Sequence, residues 1–448
     1  MDMNNNGLLY NINEKPKWHE TILYSIQHCL AMFVATALIS ILVYGSFEMV
    51  PAAIISAGVG TIVYGLITKF KSPVFLGSSA ALMPIMSTCL FLGWGDNVGG
   101  NYIALIVGLV VVCIVYTLLG VLVRKFGVKW LHKLLPSIVI GPVIVLIGLG
   151  LAGFATSWSM YNDSISKVFN GWSLLVAIIT MLVIVLISYY AKGKMKTLPF
   201  LIAIIVGFVL SLIITGIGKI TNIQSMILVQ FPEMDWFPDF AIMKALKGFE
   251  ANHFSWSQIP TILFVAIPVS FVAFCEHIGD HLNLSNIIGK DLLNEPGLSK
   301  TSLGDGLATA IGGIIGGMGN TTYGENVSVI GVTKVASVYP IIGAAILAII
   351  LGFCAPIMWV VRAIPYCVFG GCAMVLYGFI TVSGLRELKK VDLNNTKNVL
   401  IASVILICGV GGLLIPITIS DFSFDFKGVV LAMVIGIVLN LILKEKSK

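Results

Sequence analysis

The chain has 448 residues, 58% hydrophobic and only 11% charged, with 27 Lys and Arg against 21 Asp and Glu, and its mean hydropathy is +0.99. A soluble domain carries about 25% charged residues, so the composition excludes a cytosolic enzyme, a nucleic-acid binder and a disordered scaffold. Helix-length apolar runs such as 103–123 and 174–190 point to an all-α polytopic membrane protein, and the alternating pattern of a transmembrane barrel is missing.

In chain order, a polar stretch of 19 residues without a cleavage signal precedes the first apolar segment, which is therefore expected to remain as a span. Apolar segments then predict spans near 22–45, 50–68, 73–93, 101–123, 134–154, 172–190 and 197–217. A polar stretch over 218–258 follows, and its Pro232, Pro238, Phe231, Trp236 and Phe237 suit a short amphipathic element on the interface. A second series is predicted near 259–282, 301–318, 320–338, 340–361, 364–384, 398–417 and 427–443, which makes fourteen. The segments opening at Pro73, Thr301 and Asn320 are rich in Gly, Ser, Thr and Asn and are the weakest by hydropathy. The eight cysteines lie scattered in apolar runs without a CxxC pair, so neither a metal site nor a disulfide framework is indicated.

The basic residues orient these spans. With fourteen crossings, 21 of the 27 Lys and Arg fall on one side, among them Lys15, Lys69, Lys71, Lys129, Lys290, Lys334 and Lys389. Lys167, Lys219, Lys244, Lys247, Arg362 and Lys427 fall on the other. Both termini are then cytoplasmic by the positive-inside rule, and the net charge of +6 needs no acidic partner.

The two halves of the chain share landmarks. Gln27-His28 in span one matches Glu276-His277 in span eight, an offset of 276 − 27 = 249. Leu76-Gly77-Ser78-Ser79 in span three matches Tyr323-Gly324-Glu325-Asn326 in span ten, an offset of 323 − 76 = 247. Seven spans per half is odd, so the second half would cross inverted, as in secondary transporters whose sites lie at interrupted helices near the midplane. Spans three and ten are expected to be short extended stretches leading into half-helices. A half-helix N-terminus offers free N–H groups and a positive dipole end to a ligand carbonyl.

Intramembrane carboxylates are costly and mark function by default. Glu276 and Glu325 are the clear cases, with Asp280 and Asp305 less so. Asp280 shares a helix face with Glu276 through i,i+4 spacing, as a proton relay or as a solvated helix end beside His281. His28 and His277 are either functional or ordinary hydrogen-bonded packing residues. Ser78 and Ser79 suit helix capping as well as ligand contact. Two carboxylates and exposed backbone N–H groups fit a neutral planar molecule with N–H donors and carbonyl acceptors, such as a nucleobase. A metal ion or an amino acid would also satisfy the chemistry, so the residues alone define a transporter with an acidic midplane site.

Four stretches carry a family resemblance: Gln27-His28, LGSS at 76–79, EHIGDHLNLSNIIGKD at 276–291 and NTTYGENVSVIGVTK at 320–334. With these the chain resembles the nucleobase–ascorbate transporter family (nucleobase:cation symporter type 2), and within it the uracil permease branch, over nearly its whole length. The family signature N-x-G-x4-T-[RKG] runs from Asn326 to Thr333-Lys334, with Ser328 in place of the Gly. The resemblance implies a 7+7 inverted repeat. A cytoplasmic tail (1–19) precedes a core domain of spans 1–4 (20–125) and 8–11 (259–361). A gate domain takes spans 5–7 with the outer linker (126–258) and spans 12–14 with the C-terminal tail (362–448). It further implies substrate binding by Glu276 and Glu325, with help from Gly324, Ser79 and Ala80, and with Tyr323 and Tyr377 at aromatic positions nearby. Proton coupling would fall to Glu276, Asp280 and His28.

The expected function is therefore proton-coupled uptake of uracil across the plasma membrane by alternating access, with the bilayer, uracil and H+ as partners. No cofactor, metal or nucleic acid is expected, and a homodimer is allowed. A xanthine or urate carrier is the alternative within the class, and an anion exchanger or channel of the same fold the alternative outside it. Two midplane carboxylates argue against an anion pathway. No nucleophile–base pairing or metal-ligand spacing supports an enzyme.

Overall fold

A computed structural model of the protein describes residues 7–92, 101–127, 129–161, 168–192, 195, 198–247, 254–419 and 422–443. The first half contains α1 (Trp18–Tyr44), α2 (Val50–Ile67), a three-residue strand β1 (Leu76–Ser78), α3 (Met83–Leu90) and α4 (Tyr102–Phe126). It continues with α5 (Lys129–Leu134), α6 (Ser137–Met160), α7 (Gly171–Tyr190) and α8 (Pro199–Thr221). The connection to the second half carries the short α9 (Ala241–Lys247), where the sequence suggests an interfacial element. The second half runs through α10 (Ile259–Ile288), α11 (Leu298–Gly316), β2 (Asn320–Thr322), α12 (Gly324–Thr333) and α13 (Val338–Phe353). Then come α14 (Ala355–Arg362), α15 (Tyr366–Leu388), α16 (Thr396–Val410), the hairpin β3 (Leu414–Ile419) and β4 (Phe422–Lys427), and α17 (Gly428–Ile442).

Local chemistry sets many of these ends. Asn101 accepts the Ala104 amide at 3.0 Å to open α4, and Asn170 accepts the Trp172 amide at 2.9 Å to open α7. A proline stands in the first turn of α2, α3, α8, α10 and α14, where its missing N–H costs nothing. Among the described residues, eight helices are long and apolar enough to cross a membrane, and nine if α13 and α14 form one span. Those two helices meet at a 75° bend rather than running straight over the predicted 340–361. The predicted segment 398–417 also departs: α16 stops at Val410, before Gly411 and Gly412, and the apolar run continues as β3, whose Pro416 and β-branched Ile415 and Ile417 suit a strand. Hydropathy cannot distinguish the two, since both are apolar.

Large apolar side chains point outward at helical spacing, for example Val110, Ile114, Leu118 and Val121 on α4, and Leu175, Ile178, Leu182 and Val185 on α7. In water each would forfeit about 25 cal/mol per Å² of apolar surface; hydrocarbon removes that cost.

The packing repeats itself between halves. Helix α2 lies against α11, and α6 against α15. Around these pairs, α4 packs on α11 as α13 packs on α2, and α10 packs on α4 as α1 packs on α13. Likewise α7 meets α15 as α16 meets α6, and α7 meets α8 as α16 meets α17. Close approach of α6 and α15 requires small residues: a Cβ at Gly148 would stand 2.7 Å from the Tyr377 carbonyl oxygen, and one at Gly384 would stand 2.6 Å from that of Gly141.

At the centre, β1 and β2 pair antiparallel, with Leu76 opposite Thr322, Gly77 opposite Thr321 and Ser78 opposite Asn320. Each strand is tied to the helix before it by a threonine. The Thr61 hydroxyl of α2 lies 3.0 Å from the Leu76 amide and 3.4 Å from the Leu76 carbonyl, while Thr309 of α11 donates to the Asn320 carbonyl. The strands therefore correspond with an offset of 320 − 76 = 244. That differs by three from the landmark offset of 247, and it matches Ala80, not Gly77, with Gly324.

The N-terminal stretch is more than a tail. Leu9 donates its amide to the Lys334 carbonyl at 2.8 Å, Ala336 donates to Tyr10 at 2.9 Å, and Val338 donates to Ile12 at 3.0 Å. Leu8 and Ile12 are buried beside Leu284, Leu292 and Val327. The alternation Leu8, Tyr10, Ile12 is the strand-like signal for this docking.

Candidate functional site

The site forms where α10 passes the N-terminal end of α12. On α10, residues 276 and 280 share one face and residues 277 and 281 the next. Asp280 accepts the Thr322 hydroxyl at 2.6 Å, and a Cβ on Gly324 would lie 3.6 Å from Asp280 Oδ1. The carboxylate of Asp280 is thus set against the start of α12, where first-turn amides have no intrahelical acceptor. Glu325 stands in that first turn, on the favourable side of the helix dipole. Glu276, Asp280 and Glu325 lie within electrostatic reach of one another. Glu276 is accessible, and Asp280 and Glu325 are partly so.

The three carboxyls differ in commitment. Asp280 is held by Thr322, whereas no side chain of another described residue bonds Glu276 or Glu325. Among described residues these two have acceptor capacity left for a ligand.

Serine 79 and Ala80 follow β1 in the other half, beyond the pair of Ser78 with Asn320. Ser79 donates its amide to the Gly319 carbonyl at 2.9 Å, and its buried hydroxyl has no partner among the described residues. Ala80 is half-buried. Tyr323 is a wall rather than a free donor: its hydroxyl donates to the Ser78 carbonyl at 2.8 Å and lies 3.2 Å from Thr36 Oγ1. Its ring covers Gly77, where a Cβ would fall 2.6 Å from ring carbons. Tyr377 lies on α15, and its buried hydroxyl has no partner among the described residues.

His28 is fully enclosed and tied to the residue after Glu325. The Asn326 amide nitrogen lies 3.1 Å from His28 Nδ1 and 3.1 Å from the His28 carbonyl. A carbonyl only accepts, so that atom is the amide N–H₂ group and Nδ1 is an acceptor. This arrangement makes His28 a support for α12.

Sequence reasoning ranked Asp305 below the two glutamates, yet it anchors a second cluster behind the first. Asp305 Oδ2 lies 2.6 Å from His277 Nδ1 and accepts the Thr321 hydroxyl at 2.9 Å. His277 Nε2 lies 3.1 Å from Thr301 Oγ1. Both members of the pair are completely inaccessible. In the sequence Asp305 stands out as an acid in a predicted span, flanked by glycines in Gly304-Asp305-Gly306.

Long apolar helices around a cluster of carboxyls, with two short strands meeting at the centre, define a multi-pass membrane transporter. Residues 19–418 match the model of the Permease family, Xan_ur_permease. The chain belongs to that family, the nucleobase–ascorbate transporters, whose members are permeases and not enzymes. It is 38% identical to the uracil permease of Bacillus caldolyticus over 99% of this chain and 96% of that protein. It is 36% identical to the uracil permease of Escherichia coli (strain K12), over 97% and 93%. In three dimensions it is similar to the transmembrane domain of a cyanobacterium bicarbonate transporter, BicA, with a TM-score of 0.62 at 13% identity, over 96% of this chain and 99% of that one. At that identity the likeness speaks for the fold alone.

Proposed function

We propose that the protein imports uracil together with a proton across the plasma membrane by alternating access. The observation that carries this reading is the pair of carboxyls, Glu276 and Glu325, left without side-chain partners beside the start of α12. Uracil presents two ring N–H groups and two carbonyls in one plane. Glu325 accepts a ring N–H, and charge-assisted bonds of this kind are the stronger sort. First-turn amides of α12, and backbone around Ala80 from the other half, donate to ring carbonyls. The full-length similarity to uracil permeases supports uracil over a purine.

In this reading each strand and the helix after it form one interrupted span, giving fourteen in a 7+7 inverted repeat. Spans 1–4 and 8–11 are the core and spans 5–7 and 12–14 the gate. The loop contacts agree with the orientation set by the lysines. Lys71 pairs with Glu295 at 2.5 Å, and residues 9–12 pair with 334–338, all on the side read as cytoplasmic. Lys244 pairs with Glu48 at 3.0 Å, and Arg362 pairs with Asp235, all on the side read as external.

A neutral base gains nothing from membrane potential, so accumulation needs a coupled ion. Glu276 is accessible and has no side-chain partner among the described residues, so it is free to take up and release a proton, with Asp280 one turn away on the same helix face as its exchange partner. Purified protein in proteoliposomes tests the reading. With an imposed pH gradient and no sodium, labelled uracil should accumulate, and unlabelled uracil should compete better than xanthine, urate or hypoxanthine. Accumulation only after sodium is added would overturn proton coupling, and preferential competition by xanthine would move the substrate to the purines.

A further inference from the structure

Behind the acidic face, a line of buried polar groups runs away from the site and ends near the surface. Its inner end is the Asp305–His277 pair. Beside it, the imidazoles of His277 and His281 lie with centroids 4.2 Å apart. His281 Nδ1 is 2.8 Å from the His277 carbonyl, so that nitrogen carries a proton and donates. The other nitrogen, Nε2, is 2.7 Å from the Tyr64 hydroxyl of α2, which lies 2.9 Å from Ser72 Oγ. Asp305, His277, His281 and Tyr64 are inaccessible and Ser72 is 3% exposed, while the adjacent Lys71 is exposed and paired with Glu295.

We propose that Asp305, His277, His281, Tyr64 and Ser72 form the route by which the coupled proton passes between the site and the lysine-bearing end of the molecule. This rests on the proton-coupled reading above. The hydrogen-bond geometry allows two directions along the same atoms. When His281 is doubly protonated, Nε2–H donates to Tyr64, whose hydroxyl donates to Ser72. Passing one proton outward reverses each bond: His281 gives its Nε2 proton to Tyr64, Tyr64 gives its own to Ser72, and Ser72 releases one to water. His281 is left neutral with Nε2 as acceptor, the Tyr64 hydroxyl turned toward it and that of Ser72 toward Tyr64. No charge remains on either hydroxyl. Transfer from His277 takes a turn of one imidazole, because the rings lie side by side. The groups facing the histidines are Asp305 of α11, Tyr116 of α4, whose ring is 6.1 Å from that of His277, and Tyr64 of α2. Glu276 and Asp280 on α10 complete the set, within electrostatic reach of Asp305.

The test separates proton movement from uracil movement. Proteoliposomes of the full chain, loaded with a pH dye, are assayed for uracil exchange at equal pH and for uracil-driven proton flux. Tyr64→Phe and Ser72→Ala each remove one hydroxyl without touching the carboxyls at the site. Exchange should stay near wild type while proton flux and gradient-driven accumulation fall by about tenfold, equivalent to roughly 1.4 kcal/mol on the barrier. Ser72→Thr, which keeps a hydroxyl, should restore the flux. Wild-type flux in both deletions overturns the route. So does an equal loss of exchange and flux in folded protein, because that marks a packing role. If the wild type moves no proton with uracil, the coupling reading itself fails, an outcome visible before any variant is made.

Discussion

The two strand–helix units at the centre of the molecule share a geometry and differ in chemistry. β1 and α3 mirror β2 and α12, down to the threonine that fastens each strand to the preceding helix. Yet the first unit carries no ionisable side chain between Leu76 and Leu90 apart from Cys89, whereas the second holds Glu325 and is clasped by Asp280 through Thr322 and by Asp305 through Thr321. The first unit is thus expected to serve mainly as a wall and a backbone donor, the second as the selective surface.

That contrast can be broken most directly at Glu325. Glu325→Gln exchanges a charged acceptor for an amide and should weaken uracil binding by about 1.5–3 kcal/mol, read by calorimetry on purified protein that keeps its melting temperature. Wild-type affinity would remove Glu325 from the site. In the first unit, Gly77→Ala forces a methyl against the Tyr323 ring and should cost about 1–3 kcal/mol of stability. A lowered melting temperature with a larger loss of stability than of affinity is expected; the reverse would make β1 as selective as β2. Thr322→Val deletes the donor to Asp280 and should cost about 1 kcal/mol, seen as a several-fold fall in accumulation. An unchanged rate would make the clasp dispensable. The smallest effect belongs to the exposed Lys71–Glu295 pair. Its ammonium holds the Glu295 carboxyl below the usual carboxylate range, but such pairs contribute little. Lys71→Ala should leave melting temperature and uptake unchanged.

Much of this architecture is legible from the chain. The apolar segments predict the long helices within a few residues, because crossing a bilayer demands an apolar run of about 20 residues. Glycine and small polar residues in the segments opening at Pro73 and Asn320 mark where the short strands β1 and β2 form. Local pattern carries no information about register, however, so matching Gly77 to Gly324 misses the pairing by three positions. Nor does it say which acid meets which base: Asp305 and His277 lie 28 positions apart, and only the packing of α10 near α11 joins them. Tyr323 is expected near the ligand only through the family resemblance, and its commitment to Ser78 follows from strand pairing that no short motif encodes. The route through Tyr64 and Ser72 is hidden for the same reason, since neither residue type stands out in a membrane segment.

The docking of the N-terminal stretch bears on how the chain assembles. Ile12 bonds to Val338, a separation of 338 − 12 = 326 positions. Synthesis proceeds from the N-terminus at about 5–20 residues per second, so residues 8–12 leave the ribosome well before their partners exist. Leu8 and Ile12 must wait, exposed or loosely held, until about three quarters of the protein has been made. Closing that loop late carries the entropic cost of a long-range contact. Residues 8–12 are thus among the last to find their place, and a bulky insertion beside them would burden assembly before it burdened transport.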